Sequence, residues 1–212
     1  MSGLTHIIGA LLSIAALVIL VVLAATKATV WHIVSFAIYG TTLILLYTAS
    51  ALYHSLKLSK RGDEILRQLD HAMIYVLIAG TYTPICLVGL QGGWGWSLFG
   101  INWVLAITGV ILKLTFHNPR RWLTVILFTF YILMGWLVVV AFVPLVHVMP
   151  MGGIVWLVLG GVFYTAGTIF LNQKSLNLIP GFFGPHELWH LFVMAGSFCH
   201  FWMMFKYVLY IK

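Results

Sequence analysis

Two histidines frame the chemistry open to this chain. Pro185-His186-Glu187-Leu188-Trp189-His190 places imidazoles four residues apart at the start of a long apolar stretch, where a bilayer ordinarily tolerates neither. On a helix, residues i and i+4 share one face with Cβ atoms about 5–6 Å apart, so two nitrogens can reach one ion. His54 ends another apolar stretch and offers a third nitrogen, and Asp70 stands near the start of the next. Three protein ligands with an open fourth position are the pattern of a catalytic zinc site, whereas a structural zinc site is usually closed by a fourth ligand. Asp70 could be that fourth ligand or the acceptor for a metal-held water. Ser50, one turn before His54, could orient a ligand or a substrate oxygen. Each group also has a plainer reading: an interfacial histidine pair, a solvated helix end at His54, a Ser50 hydroxyl bonded to the carbonyl four residues back, and an Asp70 that favours the positive end of its helix or pairs with Arg67.

Whether these groups meet depends on the elements that carry them. Of 212 residues 62% are hydrophobic and 7% charged, which excludes a water-soluble globule and requires an integral membrane protein. A spanning helix needs about 20 apolar residues, and seven such segments are predicted at 4–25, 30–54, 69–90, 94–114, 122–142, 153–171 and 186–210. The expected fold is all-α: a polytopic seven-transmembrane helix bundle, one domain over 1–212, in the cell membrane, with the bacterial plasma membrane as the expected site. The first segment is longer than a signal-peptide core, lacks a preceding basic run and is followed at once by another span. It is expected to be retained.

The net charge of +7 does not point to nucleic acid, because the charges lie in the connections. Lys57, Lys60, Arg61 and Arg67 fall between spans two and three, Lys113, Arg120 and Arg121 bracket the four–five connection, and Lys174 lies in six–seven. Only Lys27, Lys206 and Lys212 lie on the other side. That asymmetry predicts a cytoplasmic N-terminus and an outside C-terminus. Spans two, three and seven then bring His54, Asp70 and His186 to the cytoplasmic leaflet, at a depth where polar groups usually face the bundle interior.

Other residues carry weaker signals. Cys86 and Cys199 fall within spans and read as small apolar residues, neither a disulfide framework nor a zinc knuckle. Pro84 is expected to bend span three, with the hydroxyls of Gly80-Thr81-Tyr82-Thr83-Pro84 reseating freed carbonyls. Pro119 and Pro144 are placed in connections, and Pro185 suits a first helical turn. His200 lies ten residues beyond His190, about 15 Å along the helix and about 80° around it, so it is read as a buried hydrogen-bonding residue and not as a ligand of the same ion. His6 is at the right depth and is either a supporting group of the site or a helix-end polar residue. His71, rotated about 100° from Asp70, is expected to face elsewhere. His32, His117 and His147 lie near connections with no assigned role.

Ser50-Ala51-Leu52-Tyr53-His54, Leu69-Asp70-His71 and His186-x-x-x-His190 resemble, in order and spacing, the motifs of the progestin and adipoQ receptor family. With Thr5-His6-Ile7-Ile8-Gly9 and Gly80-Thr81-Tyr82-Thr83-Pro84 added, the whole chain resembles more closely a bacterial hemolysin III protein. The resemblance implies a seven-helix bundle that holds zinc through His54, His186 and His190, with Asp70 beside the zinc-held water. It also connects the chain to a superfamily that includes alkaline ceramidases, which are membrane amide hydrolases. Hemolysin III chains commonly carry an acidic residue a few positions before the Thr-His pair. Residues 1–4 contain none, so no role is carried over for it.

A catalytic reading then follows from zinc's Lewis acidity. Three neutral imidazoles let zinc lower the pKa of a bound water to about 7. Asp70 would take the proton and return it to the leaving group, and Ser50 could donate to a developing oxyanion. A site in a membrane leaflet points to membrane lipids as partners, a lipid amide or ester as substrate, and a part in membrane lipid homeostasis. Imidazole ligands also suit iron. A lipid-responsive receptor or regulator would use the same zinc to hold spans two, three and seven together without turnover. A membrane-damaging hemolysin, as the family name implies, is a further alternative, although the sequence offers no amphipathic, switchable segment to assemble a pore. A retinal protein needs a lysine in the middle of span seven, and Lys206 is near the outer end. Proton transport lacks a second carboxylate to continue a path from Asp70.

Overall fold

A computed structural model describes residues 2–116, 120–171 and 184–212. His117, Pro119 and Lys174, assigned above to connections, lie outside the described residues. Among those described, seven helical segments are long and apolar enough to cross a membrane and no strand occurs. With no water in a bilayer to satisfy exposed N–H and C=O groups, a chain this apolar must bond its backbone within each span.

The helices are α1 (Ser2–Lys27), α2 (Val30–Ser55), α3 (Lys60–Pro84), α4 (Gly92–Thr115), α5 (Arg121–Trp136), α6 (Phe142–Val148), α7 (Met151–Leu171) and α8 (Pro185–Lys206). The fifth span is α5 and α6 joined by a 3₁₀ stretch, Leu137–Ala141. Sequence neighbours pack side by side, and α8 closes the ring against both α7 and α1. Leu20, Phe36, Tyr39, Leu46, Met203 and Met204 fill the interior. Leu11, Val18, Val104 and Val143 stand more than half exposed, as a lipid-facing surface requires.

Three departures from the sequence reading are informative. First, the third helix does not start near Asp70 but at Lys60. Ser59 accepts from the Gly62 N–H at 3.3 Å, and Asp63 accepts from the Leu58 N–H at 3.0 Å, so orphan donors at the turn into the helix are met. Residues 60–68 are too polar to count as membrane span yet are mostly good helix formers. Asp70 therefore sits about 15 Å into α3, beyond the reach of the positive helix end. Arg67 pairs instead with Glu64, at 2.8 Å.

Second, Pro84 does more than bend its helix. After it the chain continues as a π-helical turn, Ile85–Leu90, closed by the Gln91 N–H donating to Cys86 O at 3.0 Å. The Thr81 and Thr83 hydroxyls donate to Leu77 and Ala79 carbonyls at 2.8 and 2.9 Å. Gly80 lies directly on α2: a Cβ there would overlap the Thr42 side chain.

Third, Pro144 is not in a connection but third in α6, where its absent N–H costs no helical bond. The 3₁₀ stretch before it is bridged by Tyr82, whose hydroxyl donates to Gly135 O at 2.9 Å and accepts from Val138 N–H at 2.8 Å. The irregular segments of the third and fifth spans thus face each other across one buried cluster of Tyr82, Cys86, Leu98 and Ala141.

The two cysteines are buried and unbridged, as expected. His200 is buried with Nε2 3.2 Å from Leu157 O, the hydrogen-bonding role assigned to it. Ser197 on α8 joins three helices. Its hydroxyl accepts from Tyr47 on α2 at 2.7 Å and pairs with Tyr164 on α7 at 2.9 Å. His32 has a role that its position did not disclose. Its Nδ1 lies 2.9 Å from the Thr29 hydroxyl at the start of α2, and its Nε2 lies 3.2 Å from Val208 O, tying α2 to the end of the last span.

Candidate metal centre

At the end of the bundle opposite His32, α2 finishes with His54 in its last turn and α8 begins beside it. The α8 start is fixed locally. Pro185 takes the first helical position, where no N–H is needed, and the Glu187 carboxylate accepts from the Gly184 N–H at 3.0 Å. The next turns then carry His186 and His190 on one face, pointing at α2.

His54, His186 and His190 each bring one ring nitrogen to a cluster in which these atoms all lie within 4.8 Å of one another. The ring centroids are 4.6 to 5.0 Å apart. His54 Nε2 and His186 Nε2 are only 3.1 Å apart. Two nitrogens on one tetrahedral zinc, each about 2.0–2.1 Å from it, stand about 3.3–3.4 Å apart. The observed spacing is thus close to that of two ligands of one ion. His190 is buried, and the other two rings are half-buried. Three imidazoles at this spacing, with no carboxylate among them, fit a divalent metal of the borderline class.

Asp70 and Ser50 are brought together one turn along α2 from His54, and neither is part of the cluster. Ser50 is buried on α2, one turn before His54, with its hydroxyl in hydrogen-bonding reach of the Asp70 carboxylate. Lys113 of α4 lies within electrostatic range of the same carboxylate. The grouping leaves Asp70 outside the set of atoms that share one point, so the fourth-ligand alternative has no support in the geometry. His71 is also outside the cluster. It is nonetheless within electrostatic range of His54 and His186.

Helix one reaches the centre as well and brings His6 against one of the three histidines. The His6 ring stacks on His190, with centroids 3.6 Å apart and planes 15° from parallel, and meets Tyr47 edge-on at 5.1 Å. Next to it, Thr5 Oγ1 lies 3.3 Å from His190 Nδ1. Two glycines permit this approach. A Cβ on Gly3 would overlap Ser55, and one on Gly9 would press to 2.6 Å from the Tyr47 ring.

Comparison with known proteins identifies the family. The profile of the family described as Haemolysin-III related matches residues 1–201. The chain is 42% identical over 206 residues to the hemolysin-3 homolog of Bacillus subtilis (strain 168), covering 97% of this chain and 92% of the relative. It is also 42% identical over 208 residues to hemolysin-3 of Bacillus cereus, covering 98% and 90%. A more distant likeness, 28% over 185 residues, links it to the human monocyte to macrophage differentiation factor, covering 84% of this chain and 72% of that protein. Seven spans, a three-histidine cluster between the second and the last, and a match that runs through both place the chain in one group: it belongs to the haemolysin-III related family of multi-pass membrane proteins.

Proposed function

We propose that the protein is a zinc-dependent hydrolase of a lipid amide or ester, working at the cytoplasmic leaflet of the bacterial plasma membrane. The observation that carries this reading is the His54/His186/His190 cluster with a carboxylate and a hydroxyl beside it and outside the ligand set. A structural site would be closed by a fourth protein ligand. Among the described residues none joins these three.

In this reading His54, His186 and His190 hold the ion as neutral donors. A zinc ion there supplies Lewis acidity and a water ionisable near neutral pH. Asp70 takes up a proton on its carboxylate and returns it to the leaving nitrogen or oxygen of the scissile bond. Ser50 orients that carboxylate through its hydroxyl and can turn the same hydroxyl to a substrate oxygen. The exposed apolar faces of the adjoining spans set the site within a lipid environment and favour an acyl substrate over a soluble one. The basic residues flanking this end favour the cytoplasmic side.

The test is metal content and ceramide hydrolysis measured on the purified protein, on His190→Ala and on Asp70→Asn. Near-stoichiometric zinc is expected in the parent and in Asp70→Asn, with turnover about 10²–10⁴-fold lower in Asp70→Asn. Zinc retained in full by His190→Ala refutes the site. A zinc-loaded parent that cleaves no ceramide or other acyl-lipid refutes the hydrolase and leaves zinc a structural role.

A further inference from the structure

The ligand cluster accounts for α2 and α8 but not for what α1 does beside it. Three observations converge there. Thr5 Oγ1 stands 3.3 Å from His190 Nδ1, a separation that joins residues 185 positions apart. The His6 ring covers the face of the same imidazole at 3.6 Å and nearly parallel. His6 is also 97% buried by its 3% exposure, with no hydrogen-bond partner on either ring nitrogen. Burying a polar ring without partners is unfavourable. A leucine would avoid this cost but would present no ring to the face of His190.

We infer that Thr5 and His6 are positioning residues of the metal centre, Thr5 by accepting the Nδ1 hydrogen of His190 and His6 by clamping its ring face. This rests on the metal-site reading above and adds to it which residues aim the third ligand. The physical reason lies in the two nitrogens of imidazole. A ring whose Nδ1 carries the hydrogen presents the lone pair of Nε2, so the hydroxyl at Nδ1 selects the tautomer that can bind an ion. His186 needs less help, because its Nε2 faces His54 Nε2 directly. His190 sits deeper, one turn further along α8, where its χ2 rotation is restrained by the stack from α1. The helix is held in place for this task by Gly3 and Gly9, whose missing Cβ atoms allow it to lie against Ser55 and Tyr47.

The test uses the purified full-length protein in detergent, with Zn²⁺ affinity from chelator competition and the visible spectrum of the Co²⁺ form as readouts. Thr5→Val, which keeps shape and removes the acceptor, should weaken Zn²⁺ binding about 10–100-fold and shift the Co²⁺ bands; Thr5→Ser should restore both. Thr5→Ala serves as a second removal should the valine variant fold poorly. His6→Ala should weaken binding in the same direction, while His6→Phe, which keeps a ring on the His190 face, should bind as the parent does. Parental affinity and an unchanged Co²⁺ spectrum in Thr5→Val overturn the role of Thr5. Equal losses in His6→Phe and His6→Ala overturn the stacking role. A parent that binds no metal, or full metal in His190→Ala, strikes the centre itself, whereas a metal-binding parent with an unaltered Thr5→Val strikes only this inference.

Discussion

Removing the metal should soften the protein without unfolding it, and the size of the effect can be worked out. The ion would bridge α2 to α8 through His54 on one side and His186 and His190 on the other. Without it the same helices keep a hydrogen bond between His54 and His186 at 3.1 Å, the Tyr47–Ser197 bond at 2.7 Å and the weaker Tyr47 and Tyr39 bonds to Val193 and Ser197 carbonyls. The fold therefore survives chelation, and what is lost is binding free energy to the folded state alone. With free zinc held at about 100 times its Kd, that term is about 2.7 kcal/mol. For a chain of this length, 1 kcal/mol moves Tm by about 2–4 °C, so the shift should be about 5–11 °C. Thermal unfolding in detergent, followed by the fluorescence of the nine tryptophans, reads it in buffered zinc and in chelator. His190→Ala should unfold at one temperature in both buffers, close to that of the chelated parent. An equal zinc-dependent shift in parent and variant would show that zinc stabilises some other place, and the reasoning would fail.

Two further outcomes follow from packing. Ser197→Ala removes the hydroxyl shared by Tyr47 and Tyr164, and Tyr47 retains Val193 O at 3.4 Å as a partial substitute. Unpaired buried hydroxyls cost about 1–3 kcal/mol each in water-soluble proteins, yet side-chain bonds in membranes average only about 0.6 kcal/mol. A net loss of about 1–2 kcal/mol in denaturant titration is expected, and an unaltered midpoint would rule out the hub. Gly80→Val drives a side chain into Thr42 across the α2–α3 contact and should cost about 1–3 kcal/mol or more. Thr42→Ala in the same chain should recover part of it, and strict additivity of the two changes would contradict the contact.

Much of the site is legible because its chemistry is rare in its setting. His186 and His190 stand out by spacing, and His54 by lying at a span end that charge asymmetry brings to the same leaflet. The depth of Asp70 was not legible, since hydropathy marks where apolar residues begin, while Lys60 to Gln68 make a helix that is polar. The same rule hides Pro144 inside α6, because proline is permitted in a first turn as well as in a loop. Thr5 and His6 could be flagged by depth but not assigned. Their partner is 185 and 184 positions away, and the contact depends on two glycines whose role is an absence of atoms. His32 carries a local signal, a threonine three residues earlier at N-cap spacing. Ser197, Tyr47 and Tyr164 are polar residues on three separate spans. No sequence pattern links them.

The closure of α8 on α1 also sets an order of events during biosynthesis. His54 and His186 are 132 residues apart, and at about 5–20 residues per second a ribosome needs about 7–26 s to travel between them. Through that interval the early helices sit in the bilayer with one imidazole and one stacking ring awaiting their counterparts. The centre is therefore a late product of insertion, completed only when the last helix docks between the sixth span and the first. A chain cut short before Pro185 retains six of the seven spans and just one of the three imidazoles. On the metal-site reading proposed above, acquisition of the ion would mark the moment at which the ring has closed.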